Sequence, residues 1–143
     1  MEEQNQSINN NAMDLKPKAT GIGGIFFFTE NTEATNAWYA KNLGLETSPY
    51  GVSFESRDVN QPEVVNTLQW SPFKKGSDYF APSQKDFMIN YRVQNIEALV
   101  DQLKANGVTI LDEMATYEYG KFIHILDHEG NKLELWEPVV ETR

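Results

Sequence analysis

Asp127-His128-Glu129-Gly130-Asn131-Lys132-Leu133-Glu134-Leu135-Trp136-Glu137-Pro138 reads as a tight turn feeding a strand, and this stretch decides the fold. Gly130-Asn131 supplies the backbone freedom a turn needs. The period of two that follows puts Lys132, Glu134 and Trp136 on one face and Leu133 and Leu135 on the other. One carboxylate, Glu134, is thereby set inside a sheet. Earlier in the chain, Leu68-Gln69-Trp70-Ser71-Pro72 echoes Glu134-Leu135-Trp136-Glu137-Pro138 through a shared Trp-x-Pro element. The echo suggests that such a strand closes each of two similar halves.

Both halves follow one order. In the first, Gly21 to Phe28 reads as a buried strand, and Asn31 or Thr32 caps a helix that stops at Gly44. Strands are expected around Leu45–Ser48, Gly51–Ser56 and Val65–Trp70. In the second, Phe87–Val93 is a strand and Asn95 a cap. Ile96, Leu99, Val100 and Leu103 then fall at helical spacing before Gly107. Strands around Val108–Leu111, Lys121–Leu126 and Lys132–Trp136 complete it. Asn31 matches Asn95, Gly44 matches Gly107, Tyr50-Gly51 matches Tyr119-Gly120, and Trp70-x-Pro72 matches Trp136-x-Pro138. The shared order, more than any one match, predicts a duplicated βαβββ module.

The fold class expected is α+β, with two paired modules. Module one spans residues 21–72, a polar connection 73–86, and module two 87–138. Residues 1–20, rich in Asn, Gln, Glu and Lys, are expected to form a disordered or loosely attached polar tail, and 139–143 a short second tail.

At 143 residues the chain suits one domain or two half-domains sharing a core. A net charge of −9 repels phosphate backbones and acidic lipid. Lys16, Lys18, Lys74 and Lys75 are too few to make a basic patch, so neither a nucleic-acid nor a membrane partner is expected. The absence of cysteine excludes disulfides, thiolate ligands and a cysteine nucleophile. An acidic, polar start and no apolar run of membrane length predict a soluble cytoplasmic protein. Gly21-Ile22-Gly23-Gly24 precedes a strand, so no helix N-terminus awaits the phosphate of a nucleotide cofactor.

The chain resembles the vicinal oxygen chelate superfamily, which groups glyoxalase I, bleomycin and fosfomycin resistance proteins and extradiol dioxygenases. The resemblance covers residues 21–138 and rests on three stretches. They are Trp38-Tyr39 to Leu43-Gly44-Leu45, the Val93-x-Asn95 junction, and above all Asp127-x-Glu129-Gly130-Asn131-x-x-Glu134-Leu135-Trp136-Glu137-Pro138. It implies two paired βαβββ modules forming a curved mixed sheet around a shared cavity, a twofold homodimer completing the cleft and, in metal-dependent members, a divalent ion with positions open to substrate.

The family's ligands sit on the first and last strand of each module, which in this sequence offers Gly24, Leu68, Met88 and Glu134. Glycine has no side chain, leucine no donor, and a thioether is a poor partner for such ions. Glu134 alone is retained, so no metal and no other cofactor is expected. A one-residue slip would offer Gln69 but would turn over the whole strand, against the Trp70 to Trp136 match.

Glu134 is the first candidate functional residue, read either as a cavity carboxylate or as a satisfied polar partner. His124, in Phe122-Ile123-His124-Ile125-Leu126, alternates toward the cavity. A lone strand histidine is ordinarily structural, though a pKa near 6.5 suits proton transfer. Asn90 shares a face with Met88 and points where a ligand would sit. Phe26, Phe28, Trp70, Met88, Asn90, Tyr119, Phe122 and Trp136 are the expected pocket residues, with Tyr117 and Tyr119 placed to gate it. His128 is read as a solvated loop residue, and Ser71 lacks a His-Asp partner in sequence. Two functions follow, beside a third reading as a sensor or accessory domain with no chemistry of its own. The first is a metal-independent small-molecule binding protein. The second is a lyase or isomerase with Glu134 as general base and His124 as its partner.

Overall fold

The computed structural model describes residues 15–143. Residues 1–14, most of the expected N-terminal tail, lie outside the described residues. The chain runs β1 (Lys18–Thr29), α1 (Thr32–Leu43), β2 (Val52–Arg57), β3 (Val64–Lys74), β4 (Phe87–Gln94), α2 (Ile96–Ala105), β5 (Ala115–Tyr117), β6 (Gly120–Leu126), β7 (Lys132–Pro138) and β8 (Glu141–Thr142). The strands make one curved, unclosed mixed sheet in the order β2-β3-β1-β4-β7-β6-β5, with β8 beside β3. This is the α+β architecture expected. The halves join where β1 meets β4 antiparallel, and within each half the outer strands pair in parallel, β1 with β3 and β4 with β7.

Several boundaries differ from the sequence reading, among them the end of β3, which runs to Lys74 and so into the stretch read as the connection. β1 starts at Lys18, inside the stretch assigned to the tail, and Glu141–Thr142, assigned to the second tail, pairs with Val64 and Val65. Leu45–Ser48 is not a strand: it contributes one isolated bridge, Ser48 to Gly51. Val108–Leu111 likewise contributes one bridge, Ile110 to Ile125, and the short strand in that half is Ala115–Tyr117. The first half therefore reads βαββ and the second βαβββ.

The two helices begin differently although both follow an asparagine. Asn31 is extended and its side chain accepts the Ala34 N–H at 2.9 Å, a true N-cap. Asn95 sits in the left-handed region at φ 52° with no side-chain cap. Its place is taken from across the sheet by Glu137, whose Oε1 accepts the Ile96 N–H at 2.9 Å. Burial is equally uneven. Val93, Ile96, Val100, Ile123, Ile125 and Leu135, all from the second half, form the main core, whereas α1 buries no residue. A second cluster, Phe26, Met88 and Phe80, is built on the opposite face of the sheet.

The Asp127 turn has a direct physical cause. Asp127 Oδ1 accepts the N–H groups of Glu129 and Asn131 at 2.9 Å, its Oδ2 accepts the Asn131 side chain at 3.0 Å, and Gly130 takes φ 82°. These bonds hold the Asp127 carboxyl below its ordinary pKa, the Asn131 side chain contributing most. Strand β7 leaves the turn with Glu134 and Leu135 both buried, on opposite faces.

Candidate functional site

Register assigns the site. Gln69 pairs with Gly24, Gly24 with Asn90, Asn90 with Glu134, and Glu134 with His124, so one row crosses five strands on one face. The sequence comparison was off by one position on β3. Trp70 matches Trp136 in sequence, but Gln69 is the residue structurally equivalent to Glu134. Because side chains alternate, that slip sends Trp70 to the opposite face, where its ring meets Phe27 at 5.2 Å and Tyr39 at 4.8 Å. Trp70 is thus helix-side packing. Gln69 and Asn90 stand in the row in place of Leu68 and Met88, and Met88 is 1 % exposed beneath Phe26 and Phe80.

Between Ile22 and Gly24 the β1–β4 register shifts by a residue, and the glycines clear the floor at this bulge. A Cβ at Gly23 would strike Asn90 Oδ1 and lie 2.8 Å from the Trp136 ring; one at Gly24 would lie 2.9 Å from the Phe26 ring. The hollow above measures about 360 Å³. Thr67, Gln69, Asn90 and Glu134 give it a polar floor, and Phe26, Tyr119, Phe122 and Trp136 its aromatic walls. Phe122 stacks on Trp136 at 5.8 Å, and Tyr117 and Tyr119 stack on each other at 5.3 Å near the mouth. The Trp136 indole is fixed by donating to the Tyr119 carbonyl at 2.9 Å. Phe28 does not line the hollow; it stacks on Phe80 at 4.4 Å.

Glu134 is 3 % exposed and both of its oxygens are engaged. Oε1 accepts from Asn90 Nδ2 at 2.7 Å; Oε2 accepts from the Tyr79 hydroxyl at 2.6 Å and from His124 Nε2 at 2.7 Å. His124, 8 % exposed, is held from behind by Asp112, which accepts from its backbone N–H at 2.8 Å and meets Nδ1 at 2.6 Å. An imidazole between two carboxylates bonds both only as the cation, donating from each nitrogen. Burial acts to lower the His124 pKa, but the bonds to Glu134 and Asp112 outweigh it and raise the pKa above the ordinary value. Burial acts to raise that of Glu134, and the bonds from His124, Tyr79 and Asn90 reverse it, leaving the carboxyl below its ordinary value. Burial, then the Glu134 charge, keeps the Tyr79 phenol protonated.

Asp112 and Tyr79 were not anticipated. Tyr79 lies in the connection whose composition reads as polar turn, and Asp112 in a loop beyond the second helix; neither carries a local pattern, and only chain folding delivers them to Glu134. Ser71 donates to the Tyr50 carbonyl at 2.7 Å and His128 is solvent-exposed, so neither joins the site.

The row does not suit the divalent ion of metal-dependent relatives. Its members are a glycine, two amides, one carboxylate and one imidazole, and both nitrogens of that imidazole, His124, are taken by Asp112 and Glu134. The Gln69 amide is engaged by Ser53, Tyr50 and Ser71, and Glu134 has three donors already. Among the described residues no group of three or more His, Asp or Glu side chains is arranged to hold a metal.

Residues 21–135 match the Glyoxalase/Bleomycin resistance protein/Dioxygenase superfamily. The chain belongs to this superfamily. No curated protein matches the sequence. Among solved structures, methylmalonyl-CoA epimerase from Mycobacterium tuberculosis superposes with TM-score 0.58 at 16% identity, over 85% of this chain and 89% of that one. A Streptomyces coelicolor methylmalonyl-CoA epimerase variant in complex with 2-nitronate-propionyl-CoA gives 0.62 at 15%, over 85% and 99%. A superfamily member from Vibrio splendidus gives 0.50 at 10%, over 85% and 99%. At these identities the likeness is one of fold. No helix among the described residues is long and apolar enough to cross a membrane.

Proposed function

We propose that this superfamily member binds a small molecule in the sheet hollow without a metal ion. The observation that carries the reading is the state of Glu134: a buried carboxylate accepting three hydrogen bonds, from Asn90, Tyr79 and His124, below an aromatic-walled hollow. A carboxylate so stabilised is a weak base whose two oxygens are both already bonded, so it serves as a rigid polar floor. The walls supply the apolar contact, and a volume of about 360 Å³ is at the small end for ligand pockets. The test is a thermal-shift screen of small planar compounds on chelator-treated protein. A compound that raises Tm equally with and without chelator supports the reading. Binding that appears only on adding Ni, Zn, Mn or Fe sinks it.

The second reading, an isomerase or lyase using Glu134 as base, draws on the Glu134–His124–Asp112 chain, which would carry a proton from the floor to the half-exposed Asp112. The epimerase neighbours make methylmalonyl-CoA a rational probe. Solvent deuterium entering its acidic carbon at a rate lost in Glu134→Gln would replace the first reading with this one. We propose a cytoplasmic homodimer for the assembly. Ile22, Ile25, Trp38, Leu43 and Phe54 are all exposed apolar residues of the first half. Light scattering on the eluting protein checks the dimer.

A further inference from the structure

Arg92 borders the hollow through Thr67, a lining residue whose carbonyl its Nη1 reaches at 3.4 Å, and no carboxylate among the described residues forms an ion pair with it. It follows Asn90 by two positions on β4, which puts it on the same face about 7 Å along the strand. It pairs in register with Trp136. The guanidinium lies over Gly21, where a Cβ would collide with Nη2, so glycine there makes its seat. Nη1 makes only long bonds of 3.4 Å to the carbonyls of Ile22 and Thr67, and Nε and Nη2 donate to nothing among the described residues. The lysine and arginine ion pairs among those residues involve Lys75, Lys121 and Arg143 instead. The acid that acts on Arg92 most is Asp58, which makes no ion pair with it and accepts from the backbone of Asn60 and Gln61. An unpaired, partly buried cation in a chain of net charge −9 is uncommon, since acids are plentiful. A second orphan lies one row away. Asn90 Oδ1 is buried with no hydrogen-bond partner among the described residues, and the amide cannot turn over without setting oxygen against Glu134 Oε1.

We propose that the hollow takes a small planar carboxylate, whose carboxylate is held by the free edge of Arg92 and whose body presents a hydrogen-bond donor to Asn90 Oδ1. The proposal rests on the hollow being a binding site. It adds the ligand's charge and the residue that selects it. A guanidinium edge matches a carboxylate with two parallel N–H donors. One formal positive charge balances a monoanion, and Glu134 close by disfavours the second charge of a phosphate ester. Trp136 and Phe122 give the planar body a face to stack on. Burial acts to lower the Arg92 pKa, a cost that a bound anion relieves.

The experiment is titration of the full chain, by tryptophan fluorescence and calorimetry at low salt. The probes are benzoate, cinnamate and indole-3-acetate, each beside its primary amide, and phenyl phosphate. The expected result is an acid that binds at least about tenfold more tightly than its amide, as one charge-assisted pair implies. In Arg92→Gln that preference disappears while amide binding persists. Gly21→Ala, which dislodges the guanidinium without removing it, should reduce the preference in the same direction and serves if Arg92→Gln fails to fold. Equal binding of acid and amide, a preference that survives both substitutions, or tighter binding of phenyl phosphate overturns this inference and leaves the hollow as a binding site. If neither acids nor amides bind and the chelator-treated screen also yields nothing, the binding function falls with it.

Discussion

At the residue scale, the Glu134–His124 pair makes stability depend on pH in a defined window. His124 has its folded pKa raised above about 6.5, so its contribution is complete below that pH and is lost as pH rises through the folded value. Glu134 has its folded pKa lowered below about 4.5, so its contribution is complete above that pH and is lost as pH falls through the folded value. Stability should therefore be highest between about pH 4.5 and 6.5 and decline on both sides. Thermal melts from pH 3 to 9 and an NMR titration of the His124 ring check this. A His124 that titrates below 6.5 would contradict it. Glu134→Gln keeps the shape but strands the imidazolium against Asp112 alone, and should cost on the order of 3 kcal/mol near pH 6 by urea denaturation.

At the element scale, the two asparagines that look alike in sequence should behave differently. Asn31→Ala removes a side chain that accepts from Ala34 and should destabilise by about 1 kcal/mol. Asn95→Gly frees a left-handed residue of strain while losing its bond to the Leu15 carbonyl, and should stay within about 0.5 kcal/mol of wild type. Equal losses at the two positions would show that Glu137 does not cap α2. The β1 bulge gives a second contrast. Gly23→Ala drives a methyl into Asn90 and Trp136 and should destabilise by about 1–3 kcal/mol while shrinking the hollow. Gly76→Ala has open space around it and pays only for its φ of 94°.

At the scale of the whole molecule, the halves share a topology but not a core. The second half packs α2 over β4, β6 and β7 through Ile96, Val100, Ile123 and Leu135, while α1 rests on the sheet with no buried residue and β2 is exposed beyond Val52. Native-state hydrogen exchange should find the slowest amides in α2, β6 and β7, and should find α1 opening at a markedly lower free energy. Uniform protection of both helices in the monomer would refute this. If a dimer forms through the first half, α1 should gain protection as protein concentration rises.

Much of this was legible in the sequence. The Asp127 to Pro138 turn and strand, the period-two runs, and the helix of Ile96, Leu99, Val100 and Leu103 are local patterns. Periodicity and turn chemistry therefore determined most of the elements and their repeated order, and set Glu134 within the sheet; the superfamily came from the resemblance that the Asp127 to Pro138 stretch carries. The register of β3 was not legible, because Trp70-x-Pro72 resembles Trp136-x-Pro138 whichever face it presents, and a one-residue slip exchanges the faces at no local cost. Nor were Tyr79, Asp112 and Arg92, whose sequence neighbours say nothing of Glu134, Asn90 or Gly21. Hydrogen bonds and charge pairing between residues dozens of positions apart exist only once the sheet has formed. The tertiary structure alone decided that Glu134 is a floor held by three hydrogen bonds, that His124 is held between two acids, and that Arg92 pairs with none among the described residues.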